Sequence, residues 1–115
     1  MSDLITPWSI ILVTTGVLFV AFGYIFLKFP PKKINWFYGY RTSGSMKSQE
    51  RWDFAQGYAA REMMRHGLWM VLIGLAGTWL PFPRVLSAFL TIPVMFVLIG
   101  ILIYRTEKAL RDTFD

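Results

Sequence analysis

Long uncharged apolar runs alternate with polar passages along the chain. Trp8–Leu27, WSIILVTTGVLFVAFGYIFL, has no charge over a length that suits a bilayer crossing. Pro30-Pro31 should end it, because proline lacks the N–H and disfavours helix in the residue before it. Val85–Tyr104 is a second run of full length, predicted to kink at Pro93, with Thr91 or a neighbouring helix able to take the freed carbonyl. The run Gly67–Leu80 is too short alone, but a crossing that starts near Met63 has the length if Arg65 and His66 lie at the inner headgroups. Ahead of it Trp52, Ala55, Ala59, Met63 and His66 recur at three- to four-residue spacing, with Arg51, Asp53 and Glu62 between them. That predicts an amphipathic helix, half buried, capped by Ser45 or Ser48, with Glu50 near its positive end. The tight turn Pro81–Arg84 separates the second crossing from the third, and the tail 105–115 extends the last helix, with Glu107–Arg111 and Lys108–Asp112 four apart and able to pair.

The pattern therefore predicts one all-α integral membrane domain over residues 1–115, with three transmembrane helices (about 8–29, 63–82 and 85–104). Loop and amphipathic helix fill 30–62, so the second helix is long and extends into the cytoplasm. Composition agrees: 55% hydrophobic, 17% charged, mean hydropathy +0.45. A net charge of +5 in a soluble chain would suggest nucleic acid. Here eleven of the twelve Lys and Arg fall in Lys28–Arg65 and Arg105–Arg111, which three crossings put on one side, leaving Arg84 on the other. The positive-inside rule then sets the N-terminus outside and the C-terminus in the cytoplasm, and calls for no nucleic acid. Trp8, Trp79 and Phe82 would mark the outer interface, and Tyr24, Trp69 and Tyr104 the inner one. Positive charge follows the first run, Asp3 being the one charge before it, so that run reads as a retained helix rather than a signal peptide.

Candidate chemistry narrows quickly. With no cysteine and one histidine, thiol chemistry, disulfides and His-pair metal sites are excluded within the chain. No crossing has an ionisable group near its middle, which argues against a pump or proton-coupled transporter. Glu62 and His66, four apart, read as a surface pair, and a metal site from Glu50, Asp53, Glu62 and His66 is less favoured than a solvated charged face. No catalytic residue, cofactor or metal is expected. Gly16, Gly23, Gly74, Gly77 and Gly100 suit close helix contact within the chain or in a homo-oligomer, though none forms a G-x-x-x-G.

The polar passage Pro30–Tyr58 is richer. Its aromatics Trp36, Phe37, Tyr38 and Tyr40 suit the headgroup layer, and Gly39 and Gly44 permit unusual backbone angles. Arg41 lies among aromatics, a glycine and hydroxyls, where its fork can meet a carboxylate or phosphate. It either ties the loop to Glu50, Asp53 or Glu62, or binds a lipid phosphate or a partner's carboxylate.

Pro31, Asn35, Tyr38-Gly39-Tyr40-Arg41-Thr42, Ser45-Met46-Lys47-Ser48, Glu50, Trp52 and Ala55-Gln56 together resemble the signature of the SdpI family, bacterial membrane proteins whose named members confer immunity to a secreted toxic peptide. The motif covers about a quarter of the chain, and the three-span layout extends the likeness, in a form shorter than the larger members that carry additional transmembrane segments. The resemblance implies a non-enzymatic protein of the bacterial cytoplasmic membrane, in contact with membrane lipid, that protects against a membrane-active peptide toxin. It marks Asn35, Tyr38, Gly39, Tyr40, Arg41, Thr42, Ser45, Lys47, Glu50, Trp52 and Gln56 as the motif and candidate binding residues. Family members linked to signalling imply the alternative, an accessory or scaffold subunit whose basic face docks a protein partner or anionic lipid.

Overall fold

A computed structural model describes residues 5–35 and 37–115, so Asp3 and Trp36 lie outside the described residues. Among them the chain is all-helical: α1 (Pro7–Lys28), α2 (Gln49–Ala76) continued by a 3-10 turn at Gly77–Trp79, and α3 (Arg84–Phe114). The starts of α1 and α2 have a local cause. Thr6 caps α1 in a reciprocal capping box with Ser9, and Pro7 occupies the first turn, where its missing N–H costs nothing. Ser48, rather than Ser45, caps α2 by accepting from the Arg51 N–H at 3.1 Å. Pro93 does not end α3; the Thr91 hydroxyl donates to the Ser87 carbonyl one turn back, at 2.8 Å.

α1 and α2 run antiparallel in contact along most of their length, while α3 touches both at fewer points. Small residues explain the intimacy. A Cβ on Gly16 would lie 2.5 Å from the Gly67 carbonyl oxygen, and one on Gly67 would lie 2.6 Å from the Gly16 oxygen. Gly23 meets Ala60, Gly74 meets Leu12 and Val13, and Gly77 lies under Trp8, whose Nε1 donates to the Ile73 carbonyl at 3.0 Å. The spacing is seven residues on both helices (Ser9, Gly16, Gly23 against Ala60, Gly67, Gly74), the period of a left-handed antiparallel seam rather than of G-x-x-x-G. Gly100 has nothing within 4 Å and takes no part.

Two helices, α1 and α3, are long and apolar enough to cross a membrane by length and composition. The outward face of α2 carries Leu68, Trp69, Leu72 and Leu75, all more than 45% exposed. Its inward face holds Trp52, Ala55, Ala59 and His66, as the periodicity predicts. Two positions expected on its polar side are buried instead: Arg51 is 8% and Glu62 2% exposed. Arg51 is drawn in by a carbonyl and an aromatic ring, and Glu62 by cations on either side of it.

Candidate functional site

The segment between α1 and α2 folds back onto α2 and is pinned there by side chains that answer backbone groups. Asn35 Oδ1 accepts from the N–H groups of Phe37 and Tyr38 at 2.9 and 2.8 Å, closing an Asx turn, while its Nδ2 donates to the Lys33 carbonyl. The turn delivers the chain to Gly39, whose φ of 103° is the one positive value among the described residues. A Cβ there would also meet Gln56 Oε1 and Pro31 Cγ, each at 2.6 Å, so position 39 requires glycine twice over.

Tyr40 is then gripped by Gln56. Gln56 Oε1 accepts from the Tyr40 N–H at 2.7 Å, and its Nε2 donates to the Tyr40 carbonyl at 2.6 Å. This buried amide acts as one rung of a strand ladder where no strand exists. Thr42 and Ser45 satisfy each other's backbone N–H groups through their hydroxyls, and Ser45 Oγ also donates to the Thr42 carbonyl at 3.0 Å. On the other side Trp52 Nε1 donates to the Pro31 carbonyl at 2.6 Å, fixing the exit from α1, and Tyr38 donates its hydroxyl to the Phe29 carbonyl. Gln49 Nε2 reaches the Lys32 carbonyl.

The far wall comes from α3. Glu107 Oε2 accepts from the Tyr40 hydroxyl at 2.6 Å and from Thr42 Oγ1 at 2.8 Å, so its expected pairing with Arg111 gives way to the loop. Lys108 and Asp112 do approach, at 4.0 Å. Burial first, and then the Glu107 carboxylate, push the Tyr40 phenol above its usual pKa, since burial penalises the charged form and the carboxylate disfavours a second negative charge beside it. Arg51 binds the last turn of α3 to the loop: Nε donates to the Gly44 carbonyl at 2.7 Å, Nη1 pairs with Asp115 at 2.7 Å, and the guanidinium lies over the Phe114 ring. The Arg51 hydrogen bond holds the Asp115 carboxyl below its usual range.

Eight of the eleven motif residues thus converge: Asn35, Tyr38, Gly39, Tyr40, Thr42, Ser45, Trp52 and Gln56 build one clamp. Arg41, Lys47 and Glu50 are exposed around it. Sequence reasoning placed weight on Arg41 and missed Arg51 and Glu107, which lie 56 positions apart in the chain and carry no shared local motif. The available signal was a single acid, Glu107, just past the last apolar run. The Glu62–His66 pair forms, but buried: His66 Nδ1 is 2.8 Å from the Glu62 carbonyl and 3.5 Å from its carboxylate. Asp53 and Glu50 stand exposed about 2.5 and 3.3 turns along α2 from Glu62 and farther from His66, and no three potential ligands cluster among the described residues.

Above the clamp, an apolar cavity of about 250 Å³ opens between the three helices, bounded by Phe19, Phe26, Met63, Ile99 and Leu102, with Tyr40 and Gln56 at its floor.

The family model described as the SdpI/YfhL protein family matches residues 32–106, which include the clamp, α2 and most of α3. The chain belongs to the SdpI/YfhL family. It is 44% identical over 64 residues to the uncharacterized protein YfhL of Bacillus subtilis (strain 168), a stretch that is 56% of this chain and 57% of that protein. No solved structure matches this SdpI/YfhL chain.

Proposed function

We propose that this SdpI/YfhL chain is a non-enzymatic integral membrane protein of the immunity type, which protects its host by engaging a secreted membrane-active peptide within the bilayer. The observation that carries this reading is the family's signature loop, folded into the Gln56–Tyr40 clamp directly beneath an open apolar cavity. Three crossings, with the N-terminus outside and the clamp in the cytoplasm of a bacterial inner membrane, fit the packing. α2 follows α1 side by side from Gly67–Gly16 to Gly77–Trp8, so if α1 crosses, the stretch of α2 after His66 enters the bilayer beside it. Exposed Leu68, Leu72 and Leu75 then face lipid instead of water. The cavity offers a peptide helix an apolar notch, and affinity in lipid comes from packing and from hydrogen bonds rather than from expelled water.

The test is genetic. Deleting the gene should sensitise cells to a secreted peptide, and wild type should restore resistance. Ile99→Trp, which fills the cavity, and Arg41→Ala at the exposed rim should restore nothing while the protein accumulates normally. Unchanged sensitivity across a panel of such peptides contradicts the reading. The second reading, a scaffold that docks a cytoplasmic partner, draws on the exposed basic rim of Lys32, Lys33, Arg41 and Lys47. A stoichiometric partner retained in mild detergent would favour it.

A further inference from the structure

A second cavity, of about 330 Å³, lies between α2 and α3 and belongs to neither the clamp nor the apolar notch. Its polar end is built on Glu62, which is 2% exposed. Arg65 reaches Glu62 Oε1 through Nη1 at 2.9 Å, and Arg105 approaches Oε2 through Nε at 3.1 Å. Each guanidinium spends one nitrogen on the carboxylate and Arg105 is also held by the Tyr58 side chain, and the remaining donors of the two forks are left over. The second contact is ionic rather than directed, for the buried Oε2 has no hydrogen-bond donor. Both arginine side chains are about half exposed, at 58% and 47%, where they border the cavity. With His66, which also lines the cavity 3.5 Å from the carboxylate, counted as neutral at pH 7, two guanidiniums against one carboxylate leave one net positive charge.

The other end of the cavity is apolar, walled by Trp69, Ile73, Leu98 and Ile101. The placement of the polar end also matters. Arg84 and Arg105 are 21 positions apart on α3, about 32 Å of helix, the thickness of a hydrocarbon core. If α3 crosses, Arg105 stands at the headgroup level and the apolar wall runs into the acyl region.

We propose that this cavity holds the phosphodiester of one anionic membrane phospholipid, with Arg65 and Arg105 donating to the phosphate and Glu62 as the positioning residue that holds both arginines toward it. A single phosphate monoanion matches the net charge, and Trp69, Ile73 and Ile101 lie along its chains. A free phosphate would satisfy the arginines and have no use for the wall. This inference rests on the membrane placement of α2 and α3, and not on the immunity role.

Native mass spectrometry of the full chain, delipidated in mild detergent and titrated with dioleoylphosphatidylglycerol, tests it. One lipid per chain should be retained at concentrations where dioleoylphosphatidylcholine is not. Arg65→Gln and Arg105→Gln, both at exposed positions, should each weaken retention on the order of tenfold, as expected for losing a charge-assisted hydrogen bond. Lys108→Gln removes the same charge from α3 and should change nothing; an equal loss there means diffuse attraction and overturns the site. Glu62→Gln decides by sign: it raises the local charge by one, so simple attraction predicts tighter binding, whereas a positioning role predicts weaker binding. Tighter binding overturns the proposal, as does full retention in the two arginine variants. Displacement of the lipid by millimolar inorganic phosphate would make this a free-anion site and overturn the lipid assignment. Lipid retention is read without reference to peptide resistance, so either can fail alone.

Discussion

Removing the Gln56 amide should release the loop while leaving the helices paired. In Gln56→Ala the Tyr40 carbonyl is left only a share of the Ser45 hydroxyl, 3.3 Å away and closer to the Thr42 carbonyl at 3.0 Å, and the Tyr40 N–H loses its acceptor. Two net hydrogen bonds are worth about 1–3 kcal/mol together, and a partly buried N–H left unanswered adds to that, so about 2–4 kcal/mol of local stability should go. At 1.4 kcal/mol per factor of ten, the loop should open roughly 30-fold to several hundred-fold more often. Hydrogen–deuterium exchange in detergent reads this directly. Peptides over 38–46 should lose protection by that factor, while amides in the middle of α1 keep theirs. Gln56→Glu sharpens the test. Its carboxylate still accepts from the Tyr40 N–H, but the second oxygen would face the Tyr40 carbonyl, now 2.6 Å from the amide nitrogen, as acceptor against acceptor. Only the protonated acid can donate there, so the fold should raise its pKa and protection should recover as pH falls, after correction for intrinsic exchange. Unchanged exchange in Gln56→Ala, or pH-independent protection in Gln56→Glu, would refute the clamp.

Two further outcomes follow from the same geometry. Gly67→Ala puts a methyl 2.6 Å from the Gly16 oxygen, forcing α1 and α2 apart at an expected cost of about 1–3 kcal/mol in thermal stability, whereas Gly100→Ala, in open space, should be neutral or slightly stabilising. The raised Tyr40 pKa means that the neutral phenol stabilises the fold. That contribution is complete below the ordinary tyrosine pKa of about 10 and is lost as pH rises through the raised value, so alkaline melting curves should steepen in wild type more than in Tyr40→Phe.

Much of this arrangement was readable in the chain. The apolar runs locate α1 and α3 because twenty uncharged residues leave few alternatives, and the prolines and Ser48 mark the ends through their own backbone chemistry. Trp52, Ala55, Ala59 and His66 fall inward at helical period. What the period cannot weigh is a charge with buried partners: Arg51 and Glu62 look solvent-facing by type, yet each is drawn inward by groups brought from α3. Glu107 fails for the same reason, since its local partner Arg111 is visible in sequence and its actual partners Tyr40 and Thr42 are 67 and 65 positions away. Gly16, Gly23, Gly74 and Gly77 make the close helix contact their size suits, but the antiparallel seam repeats every seven residues rather than four, and Gly67 carries no local mark. Arg41 stands out by its neighbours in sequence, whereas Gln56, named with the motif, carries no mark of type that it grips Tyr40.

Sidedness is the claim on which the clamp's cytoplasmic role and the peptide-binding reading both depend, and the absence of cysteine makes it directly measurable. Single cysteines at Lys33, Lys47 and Arg84, probed in intact cells with a membrane-impermeant maleimide, should label at position 84 alone, with 33 and 47 reacting after lysis. Labelling of position 33 or 47 from outside would contradict three crossings with the clamp in the cell interior.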